Sequence, residues 1–332
     1  MLTVGLIGAG RIGRVHASTI VQDEGSQLVA VADSVDENAK NLAKIYKVNP
    51  RSVDAIFEDN SIEAILIASS TDTHSDFIEK ASIAGKAILC EKPVDLSLAR
   101  AKRCLENTKS NEHSIMMGFN RRFDPNFVAL KNALDGGEIG TAELLSITSF
   151  DPAPPPIDYV KVSGGIFKDM MIHDFDMANF LYGELPKSIF VSASALVDKK
   201  IGALGDYDTA VATLKYTDGR LAVIKNSRRA TYGYDQRIEV LGSKGLLQVQ
   251  NMVENCIVKS TEMGVESSKP EYFFLERYKS AYQNEWAAFV TAVKTKTPMP
   301  VSLSDGIAAL AIAEAAAASA EMGSEVEIAN FL

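Results

Sequence analysis

The chain is expected to be an α/β protein. It pairs an N-terminal, doubly wound parallel sheet with a C-terminal α/β domain built on a large, mostly antiparallel open sheet. Three observations carry this. Up to Gly118, short and near-continuous apolar runs alternate with amphipathic helical stretches, the pattern of a parallel sheet covered on both faces. Beyond Gly118 the pattern changes to alternating strands joined by tight turns. The length of 332 residues, set against roughly 150 residues per domain, also favours two domains over one. The expected division is residues 1–118 and 119–332.

Taken in order, Val4-Gly5-Leu6-Ile7 is a buried strand followed by a helix over about 11–21. A second strand at 28–32 leads to a helix at 36–46, and a third at 64–68 to a helix at 73–84. Strands at 87–90 and 115–117 flank a helix at 97–108. In the second half, a helix at 126–134 ends at Gly136-Gly137, and strands are expected at 188–196, 209–216, 221–226 and 237–241. Asp218-Gly219 and Gly242-Ser243-Lys244-Gly245 supply the turns. The tail at 304–322 reads as an Ala-rich helix with Ser304 as its cap. The open face of such a sheet is expected to pair with another subunit, since a broad sheet face rarely stays bare.

Composition narrows the function. With 34 Lys and Arg against 43 Asp and Glu, the net charge is -9, which argues against nucleic acid or an anionic membrane as partner. Three cysteines, Cys90, Cys104 and Cys256, form no CxxC pair, so a reducing, cytoplasmic setting is expected without a disulfide framework. No basic leader precedes the first strand. The stretch at 307–320 is interrupted by Glu314 and reads as too short for a membrane span.

Gly8-Ala9-Gly10-Arg11-Ile12-Gly13 is a GxGxxG motif directly after the first strand. The first glycine permits the tight turn, the second lets a pyrophosphate approach the backbone, and the third lets helix and strand pack closely. The helix N-terminus turns N–H donors and a positive dipole end toward the phosphates. Asp33 ends the second strand, 20 residues beyond Gly13, where a carboxylate accepts hydrogen bonds from the adenosine ribose. A carboxylate also repels a 2′-phosphate. With no cation before Lys40, the expected cofactor is NAD rather than NADP.

Two further clusters carry chemistry. Cys90-Glu91-Lys92-Pro93 lies at the carboxyl end of a sheet strand, which directs Lys92 toward the ligand crevice, where an ammonium could stabilise a developing alkoxide; a solvated lysine in a turn is the competing reading. In Lys168-Asp169-Met170-Met171-Ile172-His173-Asp174-Phe175-Asp176, a helical backbone puts Asp169 and His173 on one face with Asp176 close by. A histidine beside a carboxylate is the usual apparatus for moving a proton near neutral pH. A core histidine and a metal site from Asp169, His173 and Asp176 are the competing readings. No second histidine lies nearby, so no metal is expected. His16 and His113 are expected to pack, cap or sit in a loop, and Tyr232, Tyr234 and Asp235 form a polar aromatic loop.

The combination of GxGxxG, Glu91-Lys92-Pro93 and Asp169-x-x-x-His173 resembles the Gfo/Idh/MocA family of NAD(P)-dependent oxidoreductases over the whole chain. Gly118-Phe119-Asn120-Arg121-Arg122-Phe123-Asp124 and the segment around His173 look most like its inositol 2-dehydrogenase branch. The resemblance implies Lys92, Asp169 and His173 as the catalytic set. Ser70, Thr71, His74, Glu91 and Lys92 would then join Gly8, Gly10, Arg11, Ile12, Gly13 and Asp33 at the cofactor. Beside the resemblance, Arg122 is the expected substrate-contacting cation, and Asp176 joins the catalytic set at the substrate. The resemblance further implies oxidation of a cyclic polyol, foremost myo-inositol, and a homo-oligomer, either tetramer or dimer. Met171 departs from the glycine found there in many relatives. Two rivals remain: a dinucleotide-sensing regulator without catalysis, and a glycoside hydrolase that retains its NAD.

Overall fold

The computed structural model describes residues 1–332. The first sheet has strands β1 (Leu2–Ile7), β2 (Ser26–Ala32), β3 (Asn49–Pro50), β4 (Ala64–Ile67), β5 (Ala87–Glu91) and β6 (Ile115–Gly118). Their order is β3-β2-β1-β4-β5-β6 with every pair parallel. Helices α1 (Arg11–Gln22), α2 (Asp36–Tyr46), α3 (Val53–Glu58), α4 (His74–Ile83) and α5 (Leu98–Thr108) make the crossovers. Val4, Leu6, Ala30, Ile65, Leu66, Ile88 and Leu89 are fully buried, as strands covered on both faces must be. The strand order reverses beside β1, so the carboxyl ends of β1 and β4 open the crevice where ligands bind such sheets.

The second sheet is mixed, ordered β12-β11-β7-β10-β9-β8-β15. Its strands are β7 (Ala142–Phe150), β8 (Ser188–Ser194), β9 (Thr209–Lys215), β10 (Leu221–Ser227), β11 (Asp235–Gly242), β12 (Gly245–Val249) and β15 (Val326–Glu327), while β13 (Val258–Thr261) and β14 (Gly264–Ser267) pair as a separate hairpin. All neighbours in it are antiparallel except β7 and β10, which run parallel. Helices α6 (Pro125–Asp135), α7 (Ile157–Val160), α8 (Ile172–Tyr182), α9 (Lys199–Ala203) and α10 (Phe274–Arg277) belong with it. Strand β11 alternates buried and exposed residues along its length, the mark of one packed and one open face. On the open face Leu221, Leu144, Leu241 and Leu246 stand directly opposite one another across four adjacent strands. Each is exposed by 37–46%.

The chain ends in α11 (Lys279–Thr295) and α12 (Leu303–Met322). These revise the expected single division at Gly118. The two units are Met1–Phe123 with Ser280–Leu310, and Asp124–Lys279 with Ala311–Leu332. The reason is packing: Trp286 on α11 donates its indole N–H to Ser26 Oγ at 2.9 Å, and Met117 N–H bonds to Val301 O at 3.1 Å. The cap of α12 also differs from expectation. Ser302 Oγ accepts from Asp305 N–H at 3.0 Å while Asp305 accepts from Ser302 N–H at 2.7 Å, a reciprocal capping box. Ser304 instead donates to Glu112. Helix α12 is long and apolar enough to cross a membrane by length and composition. Its Ala309–Ala313 segment is nonetheless fully buried inside the protein, as in a core helix.

Candidate active site

The glycine loop follows β1 and has the form its sequence anticipates. Gly8 has φ +103°, and a Cβ there would lie 2.3 Å from Ala68 O. A Cβ on Gly13 would lie 1.9 Å from Gly8 O. These two glycines are therefore required by the fold itself. Gly10 is different, because nothing stands within 4 Å of its Cβ position. As N-cap of α1 it makes no side-chain cap bond, so the first turn of α1 presents backbone N–H groups to an anion. Arg11 is exposed and Ile12 half-buried in that turn.

Asp33 braces this loop. Its Oδ2 accepts from Ala9 N–H at 2.6 Å, and its Oδ1 accepts from Val35 N–H at 2.8 Å. The carboxylate is thus oriented beside the open ground above Gly10, with exposed Ser34 and Val35 following. An open glycine, an uncapped helix start and an oriented carboxylate form a cradle that fits a dinucleotide with a free 2′-hydroxyl.

The loop after β4 carries Ser70, exposed, and Thr71, half-buried, before α4. His74 is buried, with Nδ1 2.8 Å from Pro93 O and Nε2 3.1 Å from Ser69 O. Burial holds its pKa below the ordinary value. Burial favours the neutral ring, which has a single N–H, so His74 donates to one of these two carbonyls while its ring sits between the loop after β4 and the loop after β5.

Lys92 is half-buried at the end of β5, before a cis peptide to Pro93. Its N–H donates to Glu91 Oε2 at 3.2 Å, and Glu91 Oε1 lies 2.7 Å from His16 Nε2. Arg122, expected at the substrate, forms an ion pair with Asp305 at 3.2 Å. Its charge supports the start of α12, which gives it a structural task.

In the second unit, residues 167–182 form one helical run, opening on a π-turn over Phe167–Met171 and continuing as α8. Such turns are frequent at functional sites because they re-aim side chains within a helix. Gly164 and Gly165, at φ +85° and +81°, lead into it, and Asp206 Oδ1 accepts from Ile166 N–H at 3.0 Å. Asp169 accepts from Tyr159 Oη at 2.8 Å and from Arg228 Nη2 at 3.1 Å. Arg228 has only 2% of its side chain exposed, so its cation is matched to that carboxylate in a poorly solvated place. His173 is half-buried on the first turn of α8. Beneath it, fully buried Asp174 accepts from Ser149 Oγ at 2.6 Å and Asn226 Nδ2 at 2.7 Å, fixing α8 to the sheet.

Asp176 is 1% exposed and Met171 fully buried, so the methionine that departs from the family pattern is part of the core. No group of three His, Cys, Asp or Glu side chains is placed to hold a metal ion. Asp235, 1% exposed, accepts from Tyr232, Arg237 and Asn251, which makes that loop a structural brace. Arg228 and Tyr159 were not singled out in the sequence. The only sign of the first is a charged Arg-Arg pair at a strand end.

A dinucleotide cradle on a parallel sheet, beside a second α/β unit that carries Asp169 and His173 on one helical run, fits the class of a nicotinamide-dependent oxidoreductase. Residues 2–119 match the family described as "Oxidoreductase family, NAD-binding Rossmann fold", and residues 127–248 match its "GFO/IDH/MocA C-terminal domain". The chain belongs to the Gfo/Idh/MocA family of oxidoreductases. It is 48% identical over 325 residues to an inositol 2-dehydrogenase of Rhizobium meliloti, covering 98% of both chains. It is 45% identical to a myo-inositol 2-dehydrogenase of Thermotoga maritima, again over 98% of both. A crystal structure of myo-inositol dehydrogenase from Lactobacillus casei in complex with NAD(H) and myo-inositol superposes with a TM-score of 0.89 at 26% identity, covering 98% of this chain and 96% of that one. The protein is an NAD-dependent dehydrogenase acting on CH–OH groups.

Proposed function

We propose that this protein oxidises one secondary alcohol of a cyclic polyol, foremost myo-inositol, to the ketone 2-keto-myo-inositol. The observation that carries this reading is the near end-to-end similarity to two inositol 2-dehydrogenases, joined to a cradle that suits NAD. Bound NAD supplies the acceptor for the hydride that leaves the alcohol carbon. His173 takes the hydroxyl proton as general base. Asp169, itself steadied by Arg228 and Tyr159, orients His173 and stabilises its charged form. Lys92 donates to the same hydroxyl oxygen and favours its alkoxide character. Gly8, Gly10, Arg11, Ile12 and Gly13 hold the pyrophosphate, Asp33 the ribose, and Ser70 and Thr71 the nicotinamide half.

The test is NADH formation across a panel of inositols, other cyclitols and aldoses. Accumulation of NADH with myo-inositol, in preference to the rest, is expected. Cleavage of a glycoside without net NADH would replace this reading by that of a hydrolase that keeps its NAD.

We also propose a homo-oligomer, a dimer or tetramer, in which a second copy covers the row of four leucines on the open sheet face. Burying such a row removes apolar surface from water at about 25 cal/mol per Å², and large exposed apolar patches mark interaction faces. Unpaired Cys90, Cys104 and Cys256 support a reducing, cytoplasmic location.

A further inference from the structure

One buried carboxyl has no place in that reaction. Glu285, on α11, is fully buried, and neither of its oxygens has a hydrogen-bond partner. One turn earlier, Tyr282 packs edge-on against the His16 ring at 5.4 Å. His16 in turn meets Glu91 at 2.7 Å through Nε2, while its Nδ1 has no partner. The compartment is tight, since a Cβ at Gly118 would come within 3.3 Å of Glu91 Cδ. The titratable groups gathered there are thus His16 from α1, Glu91 and Lys92 at the end of β5, and Tyr282 and Glu285 from α11.

A fully buried carboxyl that has no hydrogen-bond donor gives up its proton only at a high cost, the more so beside a second carboxyl that has donors. Glu91 has donors, in His16 and the Lys92 N–H. Glu285 has none. We propose that Glu285 is a positioning residue kept as a neutral carboxylic acid, reserving the compartment's single negative charge for Glu91, which fastens the Lys92 backbone to His16 on the glycine-loop helix. Burial foremost, and then the charge of Glu91, push the Glu285 pKa well above the ordinary 4.5. The link joins the cofactor helix to the residue that polarises the substrate oxygen, and so rests on the dehydrogenase reading of Lys92.

The experiment has two arms on the full-length protein. The first compares the unfolding equilibrium of the wild type and Glu285→Gln from pH 5 to pH 9. In the unfolded chain Glu285 ionises near 4.5; in the folded chain it stays protonated. The wild type therefore loses stability relative to the variant as pH rises, by about tenfold in the equilibrium constant per pH unit until the folded group ionises. A difference that is flat across this range would mean an ionised Glu285 and overturns the proposal. This arm needs neither substrate nor cofactor, so its failure is separable from failure of the polyol reading.

The second arm measures kcat and NAD affinity for His16→Gln, Glu91→Gln and the double variant. Each single change is expected to lower kcat about tenfold or more, since small misplacements of a reacting group are costly. The double variant should be little worse than either, as in a coupled pair. Additive losses, or losses confined to NAD affinity, overturn the link to Lys92.

Discussion

Asp33 and Asp169 are carboxylates of similar exposure with opposite kinds of support. Asp33 is held by backbone N–H groups of Ala9 and Val35, both on the βαβ unit that defines the motif. Asp169 is held by Tyr159, ten residues away, and by Arg228, 59 residues away at the end of β10. The first is a site made by local chain geometry. The second exists only after a seven-stranded sheet has closed. A carboxylate held within one supersecondary unit tolerates change elsewhere, whereas one hung on long-range partners inherits every defect of its scaffold.

The sharpest way to separate the two regions is His173→Ala. It should lower turnover by about 10²–10⁴-fold, the usual span for a lost general base, while NAD binding, measured by titration, stays near wild type. Retained turnover in a variant that still binds NAD would make His173 a packing residue. Arg228→Met should show the cost of the remote support. With its buried cation gone, Asp169 loses its set position, and kcat is expected to drop by up to about 10²-fold, again with NAD affinity kept. An equal loss of NAD affinity would break the distinction between the regions.

A smaller effect is expected at the local site. Asp33→Ser with Ser34→Arg removes the ribose acceptor and adds a cation for a 2′-phosphate. Losing hydrogen bonds to a charged group costs about 1.5–3 kcal/mol, so the NAD dissociation constant should rise by roughly 10–100-fold as NADP use improves. Efficient NADP use by the wild type would contradict the role given to Asp33. The smallest effect on chemistry should come from Leu241→Asp on the open sheet face. It should lower the mass measured by sedimentation and leave catalysis per active chain nearly intact. An unchanged mass would remove the leucine row from the subunit contact.

These differences also explain what the sequence revealed. The glycine loop, the place of Asp33 at a strand end and the parallel character of the first sheet were legible because their contacts lie within one or two βαβ units. Strand β7 was overlooked because Ala142-Glu143-Leu144-Leu145-Ser146 does not alternate cleanly. Its partners β10 and β11 lie far along the chain. His74 shows the limit of motif reading: its position after β4 is as expected, yet the carbonyls of Ser69 and Pro93 that flank its ring were not legible. The partners of Arg122 and Ser304 were hidden from the sequence for a shared reason. Asp305 takes the guanidinium and completes the cap with Ser302, and no local pattern states which neighbour a side chain will choose.

The return of α11 and the first turns of α12 to the first unit bears on how the protein is made. The parallel sheet is encoded in the first 118 residues, but the indole that bonds Ser26 and the carbonyl that accepts from Met117 come from residues 286 and 301. A ribosome delivers those groups only after the entire intervening unit has emerged. The nascent cofactor half must therefore wait, with the buried faces meant for Trp286 and Phe289 uncovered, through most of translation. Chains arrested before residue 280 would carry a complete nucleotide motif on an unfinished body, the kind of species that chaperones hold and proteases remove.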